Sequence, residues 1–412
     1  MANMDKKIIK RDIVDEISQY LDTENIIVLH GARQVGKSHI LFYLEKELKK
    51  AGKETYFFDL EDSRFADILD AGVDSIIRFL QNEGFDLEKI KENSQKLFVF
   101  IDEVQYLKNP SPLLKLLADH HKYIQLIVSG SSSFNIKSKF SDSLVGRTVD
   151  FEIFNLSFSE FLRFKDIKIN FTQELDEFHL KKIIELYKEY GAYGGYPKIV
   201  LADSLKKKEK YLQQIIDTYI RKDIRDLAEI KHIDKFNNLL KVLAERSGNL
   251  LSVLELSKIC NLSQQTVEKY LFILENTYII KLVRPFSSSA KVEIIKAPKI
   301  FFYDTGILQM LWIKKLEETF AGNVFETSIF AELVKKYGAV NINYWRNRNQ
   351  NEIDFILTQK NVILPIEVKK SFRNFRKDAI ASFCEKYKAR DYKAVSIDGE
   401  KKDSRSVYPW EL

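Results

Sequence analysis

At 412 residues the chain is too long for a single core, and about two to four domains are expected. Its 45% hydrophobic and 30% charged residues, with 7 prolines and 15 glycines, exclude a fibrous or largely disordered chain. The net charge of +6 suits a nucleic-acid partner without specifying one, and no apolar run is long enough to span a bilayer. The polar start, Met1 to Lys7, is not followed by the apolar stretch of a secretory leader. Cys260 and Cys384 stand apart among apolar neighbours, as core residues of a reducing compartment do. A cytoplasmic protein with no membrane partner is the expectation.

In chain order, residues 6–22 read as a short helix and 25–30 as a buried strand. Gly31-Ala32-Arg33-Gln34-Val35-Gly36-Lys37-Ser38 then matches G-x-x-x-x-G-K-[ST] without a mismatch. His39 follows, and apolar residues at helical spacing run from 40 to 48. A strand, a glycine-rich turn and a helix place backbone N–H groups around phosphates at a helix N-terminus. Lys37 is expected on the β- and γ-phosphates of ATP and Ser38 on Mg²⁺. Residues 54–60 read as a second strand, with Asp59 near its end.

The apolar run 97–101 leads directly into Asp102-Glu103, the Walker B pattern. Asp102 is expected to hold Mg²⁺ and Glu103 to orient or deprotonate the attacking water. The next buried strand, 124–128, ends in a glycine- and serine-rich turn. A polar side chain at that tip can reach the γ-phosphate. Ser131 is the first choice and Ser129 the alternative, against an ordinary turn. Arg147 precedes a further strand over 148–154 and could pair on the surface with Asp150 or Glu152. Strands alternating with helices imply an α/β fold with a parallel sheet and its ligand at the strand C-termini. Helices are expected over 173–232, broken at Tyr193-Gly194-Gly195-Tyr196-Pro197.

Residues 235–247 and 252–260 read as two helices, with a tight turn at 261–262 and a third helix capped by Ser263. This is a helix-turn-helix order, with Gln264, Gln265 and Lys269 on the exposed face as DNA-contact candidates. Strands at 278–283 and 299–303 flank Ser287 to Lys291, which suits a wing. The alternative is a helix-packing module for a protein partner, since the helix also carries Glu268 and Glu275.

Near the C-terminus, a helix from 321 to about 336 carries Glu326, and strands follow at 343–346, 352–357 and 364–369. Asp354 and Glu367-x-Lys369 have the spacing of the PD-(D/E)XK nuclease fold. Adjacent strands would bring both carboxylates to one divalent cation, with Glu326 as a further contact. Period two sets Lys369 on the face of Glu367, where it can polarise water or the scissile phosphate. Oxygen ligands suit Mg²⁺ or Mn²⁺. Arg346, Arg348, Lys370, Arg373, Arg376 and Lys377 add a basic excess, while Trp345 and Phe372 read as core. The alternative is an ordinary Glu/Lys pair on a surface sheet.

The set GARQVGKS, FVFIDEVQ, VSGSSS, VGRTVDFEIFNLSFSEFL and YGGYP resembles the bacterial and archaeal AAA+ ATPases whose C-terminal domain is of unknown function. The resemblance covers nearly the whole chain. It implies a sensor role for the serine-rich strand tip, an arginine finger at Arg147 acting on a neighbouring subunit, and an adenine contact at Pro197 in a helical lid. It also implies homo-oligomers and agrees with a winged helix. The expected division is an AAA+ core over 1–170, a lid over 171–232, a winged helix over 233–310 and a nuclease-like domain over 311–412. The expected function is ATP-driven remodelling or processing of DNA, including branched DNA, with a metal-dependent tail. The alternative is an ATP-dependent switch that binds a protein and carries an inert tail.

Overall fold

Apolar runs rich in β-branched and aromatic residues form a five-stranded sheet from β1 (Ile26–His30), β2 (Glu54–Asp59), β3 (Leu97–Asp102), β4 (Ile124–Gly130) and β5 (Thr148–Glu152). The order is β2-β3-β4-β1-β5 and each adjacent pair is parallel. β1, β3 and β4 are buried at every residue, as helices on both faces of a parallel sheet require. Each large apolar side chain buried here, such as Phe100 or Ile127, contributes about 1.5–3 kcal/mol. Register aligns the strand ends: Asp59 lies opposite Asp102, and His30 opposite both Gly130 and Glu152. One edge of the sheet therefore collects the loops that carry the expected motifs.

A computed structural model describes residues 8–130, 144, 146–171, 175–224, 230, 232–287, 296–318, 322–347, 349–360 and 362–412. It divides into two units, Met1–Phe154 and Asn155–Leu412. Ser131, Arg348 and most of the expected wing, Ser288 to Lys291, lie outside the described residues. Among the described residues no helix is long and apolar enough to cross a membrane.

The second unit begins with helices at Phe158–Phe164, Glu177–Tyr193, Pro197–Val200 and Leu205–Ile215. The Gly-Gly break is built around Asp304. A Cβ on Gly194 would overlap the Asp304 carboxylate, and the Gly195 N–H donates to Asp304 Oδ2 at 2.9 Å. Asp304 also caps the Thr305–Trp312 helix through the Ile307 N–H at 2.9 Å and accepts from the Asn155 amide. Burial raises the Asp304 pKa, and these donors pull it back.

Helices Ile233–Glu245, Val253–Ile259 and Gln264–Asn276 follow, then an antiparallel hairpin of β6 (Ile280–Val283) and β7 (Lys299–Phe302). The last sheet contains β8 (Ile342–Arg346), β9 (Glu352–Gln359), β10 (Val362–Val368), β11 (Lys393–Val395) and β12 (Ser406–Val407), in the order β12-β11-β10-β9-β8. Pairs β8/β9 and β9/β10 are antiparallel, and β10/β11 and β11/β12 parallel. The Gly322–Tyr337 helix precedes this sheet, and the Asp378–Tyr387 helix joins β10 to β11. Three of these strands were legible in the sequence. β11 and β12 are too short to show a pattern; β11 exists by pairing with β10, and β12 by pairing with β11.

Candidate functional site

In the first unit the P-loop connects β1 to the Lys37–Lys50 helix. A side chain at Gly31 would overlap the Ile153 carbonyl, and Gly36 caps the helix at φ 102°. Both positions need glycine, one for space and one for conformation. Gln34 also has positive φ, at 62°. Ala32, Val35 and Lys37 are buried, Arg33, Gly36 and Ser38 partly buried, and Gln34 and His39 exposed. The Lys37 ammonium lies on the loop's own carbonyls, 2.8 Å from Ala32 O and 3.2 Å from Gly31 O. Burial lowers its pKa to about 8, while Glu103 and Asp102 pull upward.

Asp102 ends β3 as a buried acid. Burial raises its pKa, opposed by hydrogen bonds from the Ser129 and Ser38 hydroxyls. The Glu103 N–H reaches Ser129 Oγ and Asp102 Oδ1, each at 3.2 Å. Glu103 adopts left-handed backbone at φ 57°, which turns the chain sharply out of β3, and its carboxylate accepts from the Gln105 amide. Glu61 is raised by burial and then by Asp59, Glu103 and Asp102. The strand tips thus concentrate negative charge beside Lys37. Lys37, Ser38, Asp102 and Glu103 are brought together, and Ser129 is wired into Asp102.

Arg147 pairs with neither Asp150 nor Glu152. Its guanidinium clamps Asp119, at the end of the Pro110–His120 helix, with Nε–Oδ1 2.6 Å. Sequence reasoning also missed Arg11. Its guanidinium donates to Val35 O at 2.8 Å and to Phe154 O at 2.9 Å, tying the P-loop to the end of the unit. Nothing in Lys10-Arg11-Asp12 distinguishes it from a solvated surface.

In the second unit, Pro197 starts the Pro197–Val200 helix, next to the turn that wraps Asp304. Ser263 caps the third helix of the helix-turn-helix segment through the Thr266 N–H at 3.1 Å. Gln264, Gln265 and Lys269 are exposed, and so are Phe272, Leu254 and Ile259.

The antiparallel register that sets Ile366 opposite Phe355 brings Glu367 beside Asp354. Lys369 Nζ lies 2.5 Å from Glu367 Oε1 and 3.6 Å from Asp354 Oδ2, and the Val368 N–H donates to Asp354 at 2.8 Å. Glu326 does not complete a three-carboxylate site. Among the described residues no three His, Cys, Asp or Glu side chains stand close enough to hold one metal ion. Lys299, only 3% exposed, engages Glu326 at 3.2 Å, Glu352 at 2.6 Å and Asp354 at 3.8 Å. Buried carboxylates need counter-charge, and this lysine of β7 supplies it. Burial pushes the Glu367 carboxyl up to about 7, with Asp354 adding and Lys369 opposing. The Glu326 carboxyl rises to about 8, through burial first and Asp354 second, against Lys299. One oxygen, Glu367 Oε2, is buried without a hydrogen-bond partner. Lys299 and Glu352 carried no sequence signal, because a basic residue starting one strand and an acid starting another are ordinary.

Residues 23–162 match the family model described as "AAA domain". Over this segment the chain is similar to an AAA domain. Residues 184–318 and 321–411 match two models, each described as a domain of unknown function. The AAA domain is thus followed by two segments whose family descriptions carry no activity. An uncharacterized protein of Haemophilus influenzae is 27% identical over 377 residues, covering 89% of this chain and 88% of that protein. One of Methanocaldococcus jannaschii is 26% identical over 362 residues, covering 86% and 76%. A Walker-type ATPase of Pyrococcus abyssi overlays 75% of this chain and 97% of its own at 14% identity, with a TM-score of 0.48.

Proposed function

We propose that the chain is an ATP-hydrolysing AAA+ protein that works on DNA and carries a divalent-cation phosphodiester site in its C-terminal sheet. The observation that carries the ATP reading is Lys37, buried on the P-loop carbonyls beside the Asp102–Ser129 pair. Mg²⁺, when bound with ATP, supplies charge neutralisation across the phosphates. Lys37 exchanges its carbonyl partners for phosphate oxygens, Ser38 and Asp102 offer oxygens to the cation, and Glu103 takes a proton from the attacking water. Ser131, with Ser129 as the alternative, senses the γ-phosphate, and Pro197 contacts adenine. Arg147 acts on a neighbouring subunit's nucleotide in a homo-oligomer, which requires it to leave Asp119. The core, lid, winged helix and nuclease-like domain divide at about residues 170, 232 and 310, in a cytoplasmic protein.

The DNA reading rests on the C-terminal sheet. Asp354 and Glu367 form a buried carboxylate pair with one oxygen unsatisfied, a donor set that fits a hard divalent cation such as Mg²⁺ or Mn²⁺. Lys369 beside them can polarise water or a phosphate oxygen. Exposed Lys370, Arg373, Arg376 and Lys377 follow directly and suit phosphate contacts, as Gln264, Gln265 and Lys269 suit base edges. A second reading, an ATP-dependent switch that binds a protein, is favoured by exposed Phe272, Leu254 and Ile259 on the helix-turn-helix segment.

The deciding experiment measures ATPase rate with single-stranded, duplex and branched DNA in Mg²⁺ and Mn²⁺, with the same reactions run on a gel. Stimulation by one DNA class, with cleavage lost in Asp354→Ala, is the expected result. No stimulation and no mobility shift with any DNA would transfer the assignment to the protein-directed switch.

A further inference from the structure

The ion cluster at the C-terminal sheet has an unusual origin. Glu352 and Asp354 come from β9, Glu367 from β10, and Glu326 from the Gly322–Tyr337 helix. Lys299 belongs to none of these elements; it opens β7, the second strand of the hairpin after the helix-turn-helix segment. The hairpin is fastened in turn to that segment: Gly248 N–H donates to Ile300 O at 2.7 Å, and Leu250 bridges Lys299. Gly248 also stands so close to Glu326 that a Cβ there would come within 3.2 Å of Oε2. Three carboxylates share one almost fully buried ammonium, while Glu367 Oε2 has no hydrogen-bond partner.

From this geometry we infer that Lys299 is the resident counter-ion of the cation site, holding Glu326 away from Asp354 and Glu367 until a divalent cation displaces it. The inference rests on the divalent-cation reading proposed above. An ammonium and a divalent cation compete for the same carboxylates, and both cannot be accommodated at close range in a low-dielectric site. With Lys299 in place, its ammonium engages Glu326, Glu352 and Asp354, and Lys369 pairs with Glu367 and Asp354, which leaves Glu367 Oε2 as the oxygen open to a cation. With Lys299 withdrawn, Glu326 and Asp354 become available beside it. Lys299 reaches the acids from the hairpin, while the acids belong to the sheet and its helix, so the ammonium at this position sets the cation affinity of the site.

The test is Mn²⁺ binding to the nucleotide-free full-length chain, followed by calorimetry and by the loss of free Mn²⁺ signal in electron paramagnetic resonance. Asp354→Asn defines the binding that belongs to this site. Lys299→Met is expected to bind Mn²⁺ about tenfold or more tighter than the wild type, and adding Glu326→Gln should abolish the gain. Should Lys299→Met fail to fold, Lys299→Met/Glu352→Gln removes the 2.6 Å ion pair as a unit and is compared with Glu352→Gln alone. The same gain is expected. Wild-type binding that depends on Asp354 but is unchanged or weakened by both Lys299 variants overturns the role of Lys299 and leaves the cation site standing. Absence of Asp354-dependent Mn²⁺ binding in every protein overturns the cation site and this inference together.

Discussion

The two charged sites bury a lysine in opposite ways. In the first unit Lys37 lies against backbone carbonyls, which carry partial charges and can be exchanged for phosphate oxygens with little cost. In the second unit Lys299 lies against three full carboxylates, and burial, which alone would lower its pKa, is outweighed by Glu326, Asp354 and Glu352, so the pKa rises. The Lys37 pKa falls instead, because Glu103 and Asp102 only partly compensate its burial. The Lys37 ammonium is left under-compensated, as a lysine awaiting an anion would be, whereas the Lys299 ammonium is over-compensated by its carboxylates.

The strongest way to break the comparison is to remove the under-compensated charge. Lys37→Ala is expected to weaken ATP binding by about 100-fold or more in calorimetry, since charge-assisted bonds to phosphate are among the strong ones. Glu103→Gln should keep ATP binding and lower turnover by about 100-fold or more. Unchanged ATP affinity in Lys37→Ala would refute the phosphate site, and full turnover in Glu103→Gln would remove Glu103 as the base.

Next in size are the glycines that shape each unit. Gly31→Ala and Gly194→Ala place a Cβ on the Ile153 carbonyl and the Asp304 carboxylate, respectively. Each should destabilise its own unit by about 2–4 kcal/mol, whereas Gly52→Ala, which meets no atom within 4 Å and is strained only by its φ of 71°, should cost about 1 kcal/mol. Equal losses of melting temperature for all three would show that the close approaches do not matter.

A smaller effect follows from pH. Lys37 is protonated below about 8 in the free protein, so ATP affinity should be flat below that pH and decline above it, and Lys37→Met should lose the decline. Glu367 gives a second pH dependence, read in stability rather than in binding. Its folded-state pKa is raised to about 7, so the stability it contributes is complete at acid pH, below its ordinary value, and is lost as pH rises through 7. The melting temperature of the metal-free chain should therefore fall between pH 5.5 and 8, and Mn²⁺ should restore more of it at pH 8. A Mn²⁺ effect independent of pH would argue against Glu367 as a ligand.

The smallest expected effect is at Asp119. Asp119→Asn releases Arg147 from a half-buried surface pair, so melting should change little. If Arg147 acts between subunits, ATPase activity of this variant should rise at lower protein concentration than in the wild type. A concentration dependence identical to the wild type would count against the Asp119 clamp as a restraint.

The phosphate site was legible because its parts are consecutive. Glycines at 31 and 36, Lys37 and Ser38 fall in one strand-turn-helix, and the hydrophobic run into Asp102 marks a buried strand by composition alone. The sequence by itself also determined that Asp354 and Glu367 would stand on neighbouring strands, since both lie in alternating apolar runs a short turn apart. Only the tertiary structure decided the rest. Arg11 reaches the P-loop from a helix start, Arg147 selects Asp119, and Ser129 joins Asp102 across strands. Asp304 fills the space that Gly194 leaves and accepts from the Gly195 N–H, and Lys299 occupies the carboxylate cluster from a different strand pair. These are pairings of buried charge. Burial demands that each charge find a partner, but the sequence does not say which of many lysines, arginines and acids will be buried together.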